Sequence, residues 1–445
     1  MASILTRTRW SFFTARKVLG ETRIAYLPPE ELEALQSSKL RSIVRHAWER
    51  VPFYREWMRQ AGAQPGDIRS AADLKRLPRV GKLELTLHPE RFAAQGYEHK
   101  DGLTLYSSGT SGRRRTFRYD ARALFQALAA GRRQRIVLRP FVGREAGYRE
   151  AVFKGDESVS DRIRSFWEER TFTPRTIELT RRRFSPAMPF REILAGVNEF
   201  RPDVIRGIGS HVGAFLRWVC ERGLHLEKPK AVTYGADAMP GADRKLIEEE
   251  LRIPVFSTYQ AVEALRIGFQ CEARRGFHIS TDQVIARVVD AGGHDVAPGE
   301  RGELILSNLT NHALVVLNYG LGDLVTLGRG ACECGRTLPL IEGIDGRLDD
   351  LLTRSDGTRV HALTVLPRLQ AVAGVRQVQV VQEDLDEFLL RVVWARGSEH
   401  VPGELRARMA SVLGEQIRIS VESVDAIGQE PSGKVKSVIC KVKRQ

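Results

Sequence analysis

From about residue 200 onward the chain switches repeatedly between two periods. "HVGAFLRWVCERG" (211–223) spaces its apolar residues as a helix does, "KAVTYGA" (230–236) is a short strand-like run, "GADRKLIEEELR" (241–252) is helical again, and "IPVFSTYQ" (253–260) is again strand-like. Short apolar strands separated by helices imply a parallel or mixed sheet covered by those helices. "RGELILSNL" (301–309) and "HALVVLNYG" (312–320) add two strand candidates. Past the Gly- and Cys-rich stretch 328–335 and "GRLDDLL" (346–352), the pattern changes. A helical "ALTVLPRLQAV" precedes an alternating pair, "VRQVQVVQE" and "EFLLRVVWA", joined by acidic turn residues; a helical "PGELRARMASVLG" and "IRISVESVDAI" follow. That order describes a compact α+β unit of roughly a hundred residues. The boundary is expected near Arg347 to Asp350, dividing the chain into domains 1–346 and 347–445. Upstream, "LRSIVRHAWERVPFYREWM" (40–58) is helical, with Pro52 ending or bending the helix.

A chain of 445 residues exceeds what one core usually serves, which agrees with at least two domains. No run approaches the roughly eighteen apolar residues of a membrane span. The segment "MASILTRTRWSFFTARKVLG" lacks a continuous apolar core and a small-residue cleavage site, so a cytoplasmic protein is expected, with an amphipathic membrane-touching helix as the alternative. The net charge of +14 favours acidic partners such as nucleotides, CoA, anionic lipid or nucleic acid. Its arginines are scattered, however, and no nucleic-acid reading motif accompanies them, so no specific nucleic-acid partner is expected. Five cysteines argue against a disulfide framework.

"YSSGTSG" (106–112) concentrates small hydroxyl residues and glycines and runs into Arg113, Arg114 and Arg115. It is not a Walker A loop, since both the glycine separation and the lysine are missing. Its backbone N–H groups and the hydroxyls of Ser107, Ser108, Thr110 and Ser111 can still cradle anionic oxygens. Taken alone it reads equally well as a solvated turn between two strands. "GIGSHVG" (207–213) has valine in place of a third glycine, and opens a helix without clearly following a strand; it is not a dinucleotide fingerprint.

Six stretches in order, "YSSGTSG", "TYGADAMP", "STYQAVEA", "NYGLGDL", "GRLDDLL" and "PSGKVKS", resemble the signature motifs of the adenylate-forming superfamily of acyl-CoA ligases. The resemblance is closest to the phenylacetate-CoA ligase branch, which includes coenzyme F390 synthetase-like proteins. It spans residues 40 to 436 and is weakest over 130–200. It implies a large N-terminal AMP-binding domain and a small mobile C-terminal lid. It also implies that Ser107, Ser108, Gly109, Thr110, Ser111, Gly112 and Thr116 hold the β- and γ-phosphates of ATP. Gly235, Ala236 and Asp237 line the adenine, Tyr259 stacks near it, and Tyr234, with Ser210 and His211, borders the acyl group. Glu263 holds Mg²⁺. Asp323 accepts both ribose hydroxyls, and Arg347 faces the same sugar. Lys434 bridges the reacting carboxylate and α-phosphate, and Asp349 is the hinge.

Several positions depart from the family pattern. Gly320, Leu321 and Gly322 precede Asp323 where relatives carry Arg-Thr-Gly, Gln260 replaces a common glycine, and "TRSDGTRVHA" differs from the stretch that helps present CoA. The adenylating half is thus better represented than the thioester half. The expected reaction is activation of an aryl or arylacetic acid followed by transfer to CoA. The alternatives are a non-CoA acceptor, such as an amine, or nucleotide binding without turnover. Cys271 and His278, with Cys332 and Cys334, form two short-range pairs that can close a structural Cys₃His zinc site; three unrelated reduced thiols are the alternative. Cys220 and Cys440 read as ordinary thiols. Partners expected are a small carboxylic acid and CoA, with a homodimer left open.

Overall fold

The computed structural model describes residues 2–97, 101–107, 115–155, 158–172, 180–348, 351–354, 356–395, 397–428 and 435–442. Ser108 to Gly112, Asp349 and Lys434 fall outside these residues.

An eleven-stranded mixed sheet organises the larger part of the chain. Its parallel half runs Thr180–Phe184, Arg149–Phe153, Val204–Ile208, Ala231–Gly235, Val255–Tyr259. Both faces of the inner strands Val204–Ile208, Ala231–Gly235 and Val255–Tyr259 are covered, which is why they read as largely apolar runs, whereas the edge strand Thr180–Phe184 (TRRRF) is mostly exposed. Ile205, Val232 and Val255 point to one face, against the helices Phe190–Phe200 and Gly209–Glu221. Val204, Ala231 and Phe256 point to the other, against the helix Arg132–Val142 and the end of the long helix Ile4–Ile24. After Tyr259 the strands turn antiparallel, through Gly268–Phe269, Phe277–Ile279, Leu340–Arg347, Tyr319–Leu327, Arg301–Asn308 and Val284–Val289. The carboxyl ends of the parallel strands therefore all lie at the same end of the sheet, the end at which open α/β sheets place ligands.

Two expectations change on inspection. "HALVVLNYG" does not form a strand over its length. Leu314 to Leu317 pass through the main core, with a lone bridge from Leu314 to Ala93, and regular pairing starts only at Tyr319. A buried extended segment and a strand share the same apolar run, so periodicity cannot separate them. "GIGSHVG" does follow a strand, Val204–Ile208, directly into the helix Gly209–Glu221. The helix 40–58 divides at Pro52, as expected, into Pro29–Arg50 and Pro52–Gln60.

Residues 351–442 carry a four-stranded sheet, ordered Arg418–Ser423, Glu387–Trp394, Val375–Asp384, Val438–Cys440. With the helices Leu366–Gln370 and Pro402–Leu413, it encloses its own core, which includes Leu352, Leu369, Val380, Leu390 and Met409. Among the described residues no helix is long and apolar enough to cross a membrane.

Candidate active site

The Ser/Gly loop joins two antiparallel strands, Gly102–Tyr106 and Thr116–Asp120, paired at its mouth through Tyr106 and Thr116. The loop's described ends are clamped together. The Ser107 N–H donates to the Arg115 carbonyl (2.9 Å), and the Arg115 N–H donates to Ser107 Oγ (3.2 Å). From this clamp the Arg115 guanidinium reaches Glu263, Nη2 to Oε1 3.5 Å. Glu263 is only 5% exposed. Its backbone is fixed from two sides, since Tyr119 donates to the Val262 carbonyl (2.6 Å) and Asn308 Nδ2 donates to the Glu263 carbonyl (3.1 Å). Tyr319 Oη also lies 3.5 Å from Oε1 of Glu263. The ends of the Ser/Gly loop and Glu263 thus meet in one place. In the sequence Arg115 is only the last of three arginines that follow the loop, and its pairing with Glu263 depends on the fold.

A second carboxylate, Asp323, lies nearby on the strand Tyr319–Leu327. Tyr259, at the end of the last parallel strand, donates its phenol to Asp323 Oδ2 (2.6 Å), and Arg347 Nε lies 3.2 Å from Oδ1. Burial first, then the facing Asp323 charge, pushes the Tyr259 phenol well above its ordinary range, so it stays a donor at every physiological pH. Three expected residues from separate motifs are therefore brought together.

The segment after the strand Ala231–Gly235 is tightly shaped. Ala236 takes φ 70°, a left-handed conformation disfavoured for alanine. A Cβ on Gly235 would come within 2.8 Å of Thr258 Oγ1, which itself donates to the Tyr234 carbonyl (3.2 Å). Asp237 accepts from the Ser210 N–H (3.1 Å) and hydroxyl (2.5 Å), tying this turn to the helix Gly209–Glu221. Alternation along the strand turns the Tyr234 ring to the opposite face from Gly235. There it joins the apolar cluster of Val212 and Met239. His211 lies on that same side between Phe153 and Phe190, with centroids 5.9 and 5.5 Å away. Burial pushes the His211 imidazole down to about 4, so it is neutral at physiological pH.

Residues 352–441 match the CapK C-terminal domain family. Phenylacetate-coenzyme A ligase of Thermus thermophilus is 30% identical over 388 residues, covering 84% of each chain. The chain belongs to the phenylacetate-CoA ligase family. The Escherichia coli phenylacetate-coenzyme A ligase is 28% identical, over 73% of this chain and 72% of that one. Among solved structures, 2-hydroxyisobutyryl-CoA ligase in its postadenylation state superposes with a TM-score of 0.75. It is 21% identical and is matched over 94% of this chain and 92% of its own. That match places the fold of this family member among the adenylate-forming ligases.

This ligase also carries a compact cysteine–histidine cluster. Cys271 follows the strand Gly268–Phe269, His278 lies on Phe277–Ile279, and Cys332 and Cys334 sit on a turn before Leu340–Arg347. The four candidate ligand atoms lie within 4.8 Å of one another. Cys271 and Cys332 sulfurs are 3.6 Å apart, and Cys334 Sγ is 3.3 Å from His278 Nε2. A tetrahedral zinc with bonds of about 2.0–2.3 Å requires ligand atoms separated by roughly 3.5 Å, which these distances approach. His278 Nδ1 lies 3.1 Å from the Leu338 carbonyl, a contact that aims Nε2 at the cluster. The cluster could hold a metal ion.

Proposed function

We propose that the chain activates a carboxylic acid with ATP and passes the acyl group to CoA. The acid's carboxylate oxygen attacks the α-phosphorus, the bond to pyrophosphate breaks, and an acyl-adenylate forms. The CoA thiol then attacks the acyl carbon and AMP leaves. The observation that carries this reading is the convergence of the clamped Ser107–Arg115 frame on Glu263, beside the Tyr259–Asp323–Arg347 group.

In this reading the loop from Ser107 to Gly112, with Thr116, holds the β- and γ-phosphates, and Glu263 holds Mg²⁺, which would neutralise phosphate charge. Asp323 accepts the ribose hydroxyls, and Arg347 steadies it. Gly235, Ala236 and Asp237 form the adenine wall. Lys434 brings an ammonium to the reacting carboxylate and α-phosphate, carried by a C-terminal domain (347–445) that turns about Asp349 relative to residues 1–346. Ser210, His211 and Tyr234 shape the wall behind the adenine turn. An aryl or arylacetic acid is the substrate class suggested by the relatives' names. Cys271, His278, Cys332 and Cys334 hold a structural zinc, a closed four-ligand site that staples the antiparallel half of the sheet.

The test is ATP–pyrophosphate exchange across a panel of carboxylic acids, followed by AMP release with and without CoA. Exchange that depends on an acid and is abolished in Lys434→Ala supports adenylation, and CoA-accelerated AMP release supports the thioester step. Exchange with no acceleration by CoA would point to another acceptor, and no exchange with any acid would overturn the reading. For the metal, about one equivalent of zinc is expected in the purified chain, lost in Cys332→Ser.

A further inference from the structure

Three arginines that no signature motif contains meet below the adenine turn. Arg206 lies on the strand Val204–Ile208, beside Thr233 in the register of the next strand. Side chains two residues apart on a strand share a face, so Thr233 lies one pleat, about 7 Å, deeper than Gly235 on the same face. The helix Arg132–Val142 covers that face and contributes Arg135. Arg266 comes from the segment three residues beyond Glu263. Its guanidinium lies 3.0 Å from where a Cβ on Gly131 would be, one helical turn from Arg135. The three charges act on one another electrostatically.

Their neutralisation is incomplete. Arg206 Nε is 3.5 Å from Glu150 Oε1, but the other oxygen of this buried carboxylate is taken by Arg181 at 2.5 Å. Among the described residues no carboxylate pairs with Arg135 or Arg266. Two hydroxyls on this face, Tyr148 Oη and Thr233 Oγ1, are buried without a hydrogen-bond partner among the described residues. Arg135, Arg206 and Arg266 are each only half-buried, the Arg206 side chain 34% exposed, so the group is not sealed from a ligand. Burial, then the neighbouring Arg206 and Arg135 charges, lowers Arg266 to about 9. Crowded, under-neutralised guanidiniums of this kind are costly unless an anion completes them.

We propose that Arg135, Arg206 and Arg266, with Tyr148 and Thr233, form the far end of the acyl pocket and bind a second acidic group on the substrate. The assignment rests on the adenylation reading. The carboxylate to be activated stays near Gly235, and a second anion about one pleat deeper meets the arginines. The substrate class is therefore a dianionic acid rather than a simple arylacetic acid.

The experiment compares acids matched in skeleton but differing by one carboxylate: phenylacetate against 4-carboxyphenylacetate, and hexanoate against adipate. Pyrophosphate release is expected to favour a dianion by about tenfold or more in kcat/KM. Arg266→Gln and Arg135→Gln should each move that ratio toward one, and Arg266→Lys should retain part of it. Because the readout is a ratio within one variant, general damage to folding does not imitate the result. Monoanions preferred with ratios unmoved by either variant would overturn the proposal and leave adenylation intact. The same acids are also tested by thermal shift without ATP. Stabilisation by a dianion alone, lost in Arg266→Gln, would sustain the anion site even if no exchange occurred, in which case the adenylation reading falls instead. No exchange and no dianion-specific stabilisation would remove both.

Discussion

Arg133 and Arg135 stand two residues apart on one helix, on nearly opposite sides, and the protein treats them differently. Arg133 is held by Glu21 at 2.7 Å and Asp282 at 2.8 Å, all three almost fully buried. Asp282, despite the burial that would raise it, is brought down to about 2 by Arg133 and then Lys39. Arg135 is set among Arg206 and Arg266 and, among the described residues, pairs with no carboxylate. A buried charge with its counter-charges built in belongs to the scaffold, whereas one left incomplete beside open space is set up for a ligand. Asp323, with a phenol and a guanidinium already arranged around it, lies between these extremes.

The largest expected effect tests the first half of that contrast. Arg133→Met leaves two carboxylates stranded in the core and should cost about 3–5 kcal/mol in urea unfolding. Arg135→Met removes an unneutralised charge and should leave stability within about 1 kcal/mol of the parent, or above it. Equal losses from the two substitutions would erase the distinction.

His211 sharpens the comparison, because a buried imidazole can escape its burial by giving up a proton and an arginine cannot. Its folded-state pKa of about 4 lies below the ordinary value of 6.5. The neutral form's stabilisation is therefore complete above about pH 6.5 and is lost as pH falls toward 4. The expected loss over that window is on the order of 3 kcal/mol. Urea unfolding at stepped pH should show it, and His211→Gln should flatten that part of the profile. An unchanged slope would mean that His211 titrates normally.

Asp323→Asn keeps the shape of the side chain and removes the charge. If this carboxylate accepts the sugar hydroxyls, kcat/KM for pyrophosphate release should fall about a hundredfold, as for loss of charge-assisted hydrogen bonds. A fall below about fivefold would class Asp323 with the scaffold, as Arg133 is.

The sequence exposed one side of this contrast far better than the other. Local pattern found the alternating helices and strands after residue 200 and the loop strands around Ser107, whereas the resemblance to the family's contiguous motifs singled out the acids Glu263 and Asp323. The cysteine–histidine cluster was visible from its spacing, as two short-range pairs. Arg135, Arg206 and Arg266 come from three segments, and only parallel register and helix packing unite them. Nothing local separates Arg133 from Arg135, since the difference lies in Glu21 and Asp282, more than a hundred residues away in sequence. "HALVVLNYG" failed as a strand because burial, not pairing, set its composition. Tyr234 was placed beside the acyl group from its motif, and only strand alternation shows that its ring packs with Val212 and Met239, on the opposite face from Gly235.

Tyr259→Phe should have the smallest effect, and it tests whether the Asp323 group is truly intermediate. The substitution deletes the 2.6 Å hydrogen bond and leaves the ring on Phe277, 5.9 Å between centroids. Arg347 still faces the carboxylate, so Asp323 stays in place with one restraint fewer. The expected cost is about 1 kcal/mol, seen as a roughly fivefold rise in KM for ATP with kcat little changed. A rise in KM alone would mean that the phenol orients the carboxylate before the nucleotide arrives. A fall in kcat with KM unchanged would mean instead that the phenol contributes in the transition state, which orientation of Asp323 alone does not account for.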